Sequence, residues 1–135
     1  MTARVTGSFD VKLTPHPADD AAEPAVGRMA IDKRFHGPLD GTSRGEMLAA
    51  QTGVKGSAGY VAIEKVTATL GGRRGSFVLQ HSGTMTRGAP RLEITVVPDS
   101  GTEQLAGITG AISIEVADGK HSYSFDYVLP SAAAP

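Results

Sequence analysis

The sequence predicts an all-β protein built as an eight-stranded antiparallel up-and-down barrel. Three observations carry that expectation. Glycine is unusually frequent, at 17 of 135 residues against a usual share of about 7%. The glycines are spread evenly between short β-branched runs, the pattern of strands joined by tight turns and bulges. Long runs of helix formers are missing, and tryptophan is absent. The length suits one domain burying about two-thirds of its unfolded surface. We assign residues 1–129 to that domain and 130–135, PSAAAP, to a flexible tail.

The elements follow in order. Residues 3–14 alternate, with Val5, Gly7, Phe9, Val11 and Leu13 on one side and Thr6, Ser8, Asp10 and Lys12 on the other. PHPADDAAEP, 15–24, is an extended proline-rich loop, long enough for a lid but read as a surface connection that leaves His16 solvated. A second strand, 26–35, sends Met29, Ile31 and Phe35 one way. Asp40-Gly41 signals a hairpin, and a third strand then carries Glu46, Met47 and Leu48. Residues 53–59, GVKGSAG, form a glycine-rich turn before strand four, 60–70. Gly71-Gly72 turns the chain into strand five, 75–86. TRGAP leads to strand six with Leu92, Ile94 and Val96. A structured connection follows, and 111–117 pairs with 120–129 about Asp118-Gly119. Eight such strands favour a closed barrel, since closure removes exposed edges; a β-sandwich is the alternative that periodicity leaves open.

The hairpin registers bring polar residues onto a mainly apolar face. With a two-residue turn at Gly71-Gly72, Glu64 faces Leu79, Ala62 faces His81 and Val66 faces Phe77. Tyr60, Ala62, Glu64 and Val66 then share a side with Phe77, Leu79, His81 and Met85. A three-residue turn would instead put Gln80 opposite Glu64. About Asp118-Gly119, Val116 meets His121, Ile114 meets Tyr123 and Ile112 meets Phe125. Glu64, His81, His121, Tyr60 and Tyr123 are therefore expected inside, with Glu46 and Gln80 as further candidates. His121, close to its turn, is expected at the rim. A carboxylate in such a place must be paired, protonated or near water. Glu64 and His81 are the candidates for acid–base work; Tyr60, Gln80, Tyr123, His121, Phe77 and Glu46 are those for lining a ligand site. A structural or ligand-orienting network is the preferred reading of the same cluster.

Other chemistry finds little support. The formal net charge is −1, which gives no electrostatic footprint for nucleic acid. The basic pairs Lys33-Arg34 and Arg73-Arg74 read as solvated strand and hairpin positions. Zero cysteines exclude disulfides, thiolate nucleophiles and cysteine zinc sites. The four histidines show no HxH or HExxH spacing, so no metal is expected on Glu64, His81 and His121. P-loop, dinucleotide and GxSxG motifs are missing, and no cofactor is expected. MTARVTGSFDV has no apolar core of a signal peptide and no stretch would span a bilayer as a helix, so a soluble, cytoplasmic protein is expected.

SGTEQLAGITG, 100–110, has the form Gly-Thr-x-x-Leu-x-Gly-x-x-Gly before a strand. It resembles the glycine-rich turn and bulge of allene oxide cyclase and dirigent barrels. Together with GTSRGEMLAAQTGVKGSAGYVAIEKVTATLGGRRGSFVLQHSGTMTRG and DGKHSYSFDYVL, the chain from about Gly7 to Leu129 is similar to one bacterial domain-of-unknown-function family classed with those barrels. The resemblance implies an eight-stranded, often oligomeric barrel with an apolar cavity and no established activity. Allene oxide cyclases close a fatty-acid epoxide mainly by steric confinement, helped by a carboxylate and an ordered water. Only the glycine turn matches them, and their cavity cysteine has no counterpart, so cyclase activity does not carry over. The expected function is binding of a small apolar or amphipathic molecule. An isomerase or cyclase using Glu64 and His81, or a structural or protein-interaction barrel, are the alternatives. Val61, Ile63 and Val78 on the opposite face, beside Lys65, Gln80 and Ser82, lead us to expect a homo-oligomer, most simply a dimer.

Overall fold

The computed structural model describes residues 2–16 and 26–130. Eight strands pair antiparallel in sequence order and close into a barrel through β1 and β8. They are β1 (Ala3–Pro15), β2 (Val26–His36), β3 (Leu39–Gln51), β4 (Ala58–Leu70), β5 (Arg73–Thr86), β6 (Ala89–Val96), β7 (Thr109–Ala117) and β8 (Lys120–Val128). Among the described residues the one helical element is a 3₁₀ turn at Glu103–Leu105. The all-β barrel expected from the sequence is thus the observed fold. The segment 17–24 of the expected loop and residues 131–135 of the expected tail lie outside the described residues.

Three two-residue turns set the registers. Gly71-Gly72, Arg87-Gly88 and Asp118-Gly119 each place both central residues at positive φ, the conformation whose twist matches that of the flanking strands. The register about Gly71-Gly72 pairs Leu70 with Arg73, Glu64 with Leu79 and Ala62 with His81. The three-residue alternative is not adopted. One turn is corrected. The β2–β3 hairpin turns at Gly37-Pro38, with Gly37 at φ 109°, and not at Asp40-Gly41. Gly41 instead lies inside β3, facing the interior opposite Phe35 and Ala68. A Cβ there would come 2.5 Å from the Ala68 Cβ, so the glycine serves close packing.

Inside, the two ends of the barrel differ. At one end the connection 97–108 runs along β5, with Val97 N–H donating to the Val78 carbonyl (2.8 Å) and Thr102 N–H to that of Ser76 (2.9 Å). It carries Leu105 and Ile108 into a core with Leu39, Leu70, Phe77 and Phe125, all buried. Leu39, Val66, Phe77, Leu105 and Phe125 are 0% exposed, which leaves no water-sized void against them. Side chains fill this half, so the apolar cavity that the family resemblance implies does not lie here.

Among the described residues the other end is open. Leu13, Met85, Leu92 and Val116 share the inward parity of their strands, yet they are 46%, 43%, 39% and 59% exposed. Val11, Met29, Met47 and Ile114 are half-buried beside them. The β6–β7 seam pairs only Ile94 with Ile112 and Thr95 with Ala111, so the wall is weakest on that side.

Candidate functional site

Glu64 sits on β4 at the boundary between these two halves, 0% exposed. Its neighbours across the sheet are Leu79 on β5 and Gly45 on β3. The carboxylate is fully used. Ser43 on β3 donates its hydroxyl to Oε1 at 2.7 Å. Lys33 on β2 donates its ammonium to Oε2 at 2.8 Å. The Nε2 of His81 on β5 lies 2.5 Å from the same oxygen. Because an ionised carboxylate only accepts, that ring nitrogen carries the hydrogen. The far nitrogen, Nδ1, meets the Tyr60 hydroxyl at 3.2 Å.

The result is a chain, Lys33–Glu64–His81–Tyr60, braced by Ser43 and drawn from four consecutive strands. Lys33 is 8% and His81 4% exposed at the side chain, whereas Tyr60 is half-buried and reaches the open end. The Lys33 ammonium also lies over the rings of Phe9 (5.2 Å) and Phe35 (5.8 Å), where the aromatic faces attract it. Tyr60 packs its ring across Gly83; a Cβ on that glycine would come 2.5 Å from the Tyr60 Cε1. Among the described residues no buried side-chain nitrogen or oxygen lacks a hydrogen-bond partner.

Electrostatics follow from the partners. Burial raises the Glu64 pKa, but His81, the Lys33 charge and hydrogen bond, and Ser43 together outweigh it and hold the group down at about 2. The Tyr60 phenol is pushed up, by burial first and then by the Glu64 charge. Glu64 is therefore a fixed anion that orients His81, and the Tyr60 hydroxyl keeps its proton.

The structure brings Glu64, His81 and Tyr60 together and disperses the other sequence candidates. Gln80 is exposed on the outer wall opposite Ile63, a correction that follows from the two-residue turn. Glu46 is also corrected to the outer wall, where its carboxylate lies 3.2 Å from His16 Nε2 and 3.6 Å from Arg28 Nε. His16 is thus not simply solvated. Tyr123 is buried, but its hydroxyl donates to the His36 carbonyl (2.9 Å) and accepts from the Leu39 N–H (3.1 Å). It clamps the β2–β3 turn onto β8. Phe77 is stacked on Phe125 in the closed half, centroids 5.7 Å apart. His121 is half-buried towards the open end, its ring 5.2 Å from that of Phe9. Lys33 and Ser43 were missed. The reading of Lys33-Arg34 as a solvated pair is corrected for Lys33, whose parity with Ile31 and Phe35 was the available signal.

Comparison with known proteins bears on the family. No curated protein matches the chain. A crystal structure of a protein with unknown function from the DUF3224 family of Shewanella oneidensis MR-1 is similar to it. The identity is 52%, over 98% of this chain and 100% of that one, with a TM-score of 0.90.

Two outcomes are expected of the buried cluster. Lys33→Met leaves the Glu64 carboxylate without its matching charge and should cost about 3–5 kcal/mol in urea unfolding. The double variant Lys33→Met/Glu64→Gln removes both charges and should recover much of that loss; no recovery would show that the charges are not coupled. The second outcome concerns acid. The folded pKa of Glu64, about 2, lies below its ordinary 4.5, so between those values the unfolded chain binds more protons. Its contribution, on the order of 3 kcal/mol, is present above about pH 4.5 and is lost as pH falls towards 2. The same double variant should show a flatter stability profile across that window; an unchanged profile would refute this assignment.

Residues 5–127 match the family described as Protein of unknown function (DUF3224), and the chain belongs to that family.

Proposed function

We propose that the barrel binds a small apolar or amphipathic molecule in its open end, with Tyr60 and His81 meeting the polar part. One observation carries this reading. Inward-facing Leu13, Met85, Leu92 and Val116 stay exposed directly above a buried and fully bonded polar chain. Apolar walls with a few convergent polar groups are the usual make-up of a small-molecule site. The family resemblance to allene oxide cyclase-like barrels supports the same placement, and we propose a cytoplasmic protein. No helix among the described residues is long and apolar enough to cross a membrane.

The chain Glu64–His81–Tyr60 favours a second reading, an isomerase or cyclase. A carboxylate that orients an imidazole, which in turn holds a hydroxyl, is the arrangement of an acid–base relay. In it Tyr60 would touch the substrate and Glu64, fully buried, would be a positioning residue. The binding reading needs fewer assumptions, since Glu64 is held ionised and cannot itself exchange a proton near neutral pH.

We further propose that the outer face of β3 and β4 is covered by a second copy of the chain. Leu48 and Val61 are directly paired across the strands, and both are exposed together with Ile63. A solvent-facing row seldom holds that much aliphatic surface.

The neutral fluorophore N-phenyl-1-naphthylamine tests binding. It should bind the native protein, and Leu92→Glu should weaken it about tenfold or more, because a carboxylate beside the bound ring is poorly solvated. Leu92 is already partly in water, so the urea midpoint should barely move. No fluorescence change with native protein would overturn the reading. Ile63→Asp should shift size-exclusion elution from dimer to monomer, and native-size elution would remove this face as the interface.

A further inference from the structure

We infer that the polar end of the bound molecule is an uncharged hydrogen-bond donor, an alcohol hydroxyl, and not a carboxylate. This rests on the ligand-binding reading above and narrows it to a ligand class.

The direction of each hydrogen along the buried chain decides the matter. His81 Nε2 gives its hydrogen to Glu64, 2.5 Å away, because the carboxylate offers only lone pairs. The charge of that carboxylate is already matched by the Lys33 ammonium at 2.8 Å. With its hydrogen on Nε2, the His81 ring offers a lone pair at Nδ1. Tyr60, 3.2 Å from Nδ1, gives its one hydrogen to the ring. What Tyr60 then turns towards the open end is lone pairs.

A molecule entering past Leu92 and Met85 meets an acceptor, with no free hydrogen along the Tyr60–His81–Glu64 chain. The other donors of the cluster, Lys33 and Ser43, are bonded to Glu64, and Lys33 lies against the rings of Phe9 and Phe35. A hydroxyl supplies the hydrogen that Tyr60 lacks. At the Tyr60 hydroxyl a carboxylate meets only lone pairs. An ammonium brings an extra charge into a cluster whose charges already cancel, and it loses its hydration without compensation.

Displacement of N-phenyl-1-naphthylamine by 1-dodecanol, its methyl ether and dodecanoate separates these cases at equal chain length. On the native protein the alcohol should displace the probe at about three- to tenfold lower concentration than the ether, with dodecanoate weakest. Tyr60→Phe should bring the alcohol to the level of the ether. Equal potency of the three, or a preference for dodecanoate, would overturn the inference and leave ligand binding standing. An alcohol preference that survives in Tyr60→Phe would overturn it too. Failure of the probe and all three compounds to bind would remove both readings. Should Tyr60→Phe not fold, as judged by circular dichroism, the order on native protein decides alone.

Discussion

Taking the Glu64 carboxylate out of water is the constraint on which the rest of the interior depends. An unpaired buried carboxylate costs several kcal/mol, so the fold must deliver donors to both oxygens. It does so from β2, β3 and β5, with Lys33, Ser43 and His81 arriving at hydrogen-bonding distance. Each donor reaches the site only in one register. Sliding a strand by one residue would turn its donor to the outer wall and leave the charge unpaired. An all-aliphatic layer would tolerate such a slip at lower cost. The cluster is thus a register lock, and Gly45 opposite Glu64 contributes by adding no side chain of its own to that layer.

How much of this was legible in the sequence depends on whether a residue type agreed with its strand parity. Glu64, His81 and Tyr60 could be placed together because one two-residue turn fixed β4 against β5, and the apolar residues between them confirmed the alternation. Lys33 has the same parity as Ile31 and Phe35, but a lysine next to an arginine looks solvated; only the buried counter-charge on β4 explains it. Ser43 carries no signal at all, since a serine suits either face. Glu46 and Gln80 erred in the other direction. Both lie one residue off the inward parity: Gln80 would face inward only with a three-residue turn, whereas Gly71-Gly72 is a two-residue one, and Glu46 sits between inward-facing Gly45 and Met47. Asp40-Gly41 has the composition of a turn. Yet its glycine answers to the crowding of Ala68 across the strand, which no local pattern contains.

The polar layer also divides two kinds of interior. On the closed side, Phe77, Phe125, Leu105 and Val66 fit without water-sized voids, and Tyr123 uses its hydroxyl to tie β8 to the β2–β3 turn. That half can supply the stability of the barrel through apolar burial. The open side repeats the inward apolar parity but leaves Leu13, Met85, Leu92 and Val116 only partly covered among the described residues. Stability and exposure are therefore assigned to opposite ends, so side chains at the open end can change without disturbing the packed half.

Strand length explains why the open side exists. β3 and β4 are 13 residues each and β5 is 14, whereas β6, β7 and β8 have 8 or 9. From the Gly45–Glu64 pair to the Gln51–Ala58 pair at the rim there are six residues, or about 20 Å along the strand. Such a wall extends well beyond the polar layer on one side of the barrel and is low on the other, where the β6–β7 seam has few pairs. Its inner surface, Met47, Tyr60 and Met85, forms one side of a trough with the Glu64 layer at its base. Methionine adapts to ligands of varied shape. Tyr60 is fixed by Gly83 beneath its ring and by His81 at its hydroxyl. The trough therefore joins an adaptable apolar wall to one rigid polar point, and that point is rigid because the buried carboxylate behind it has no freedom to move.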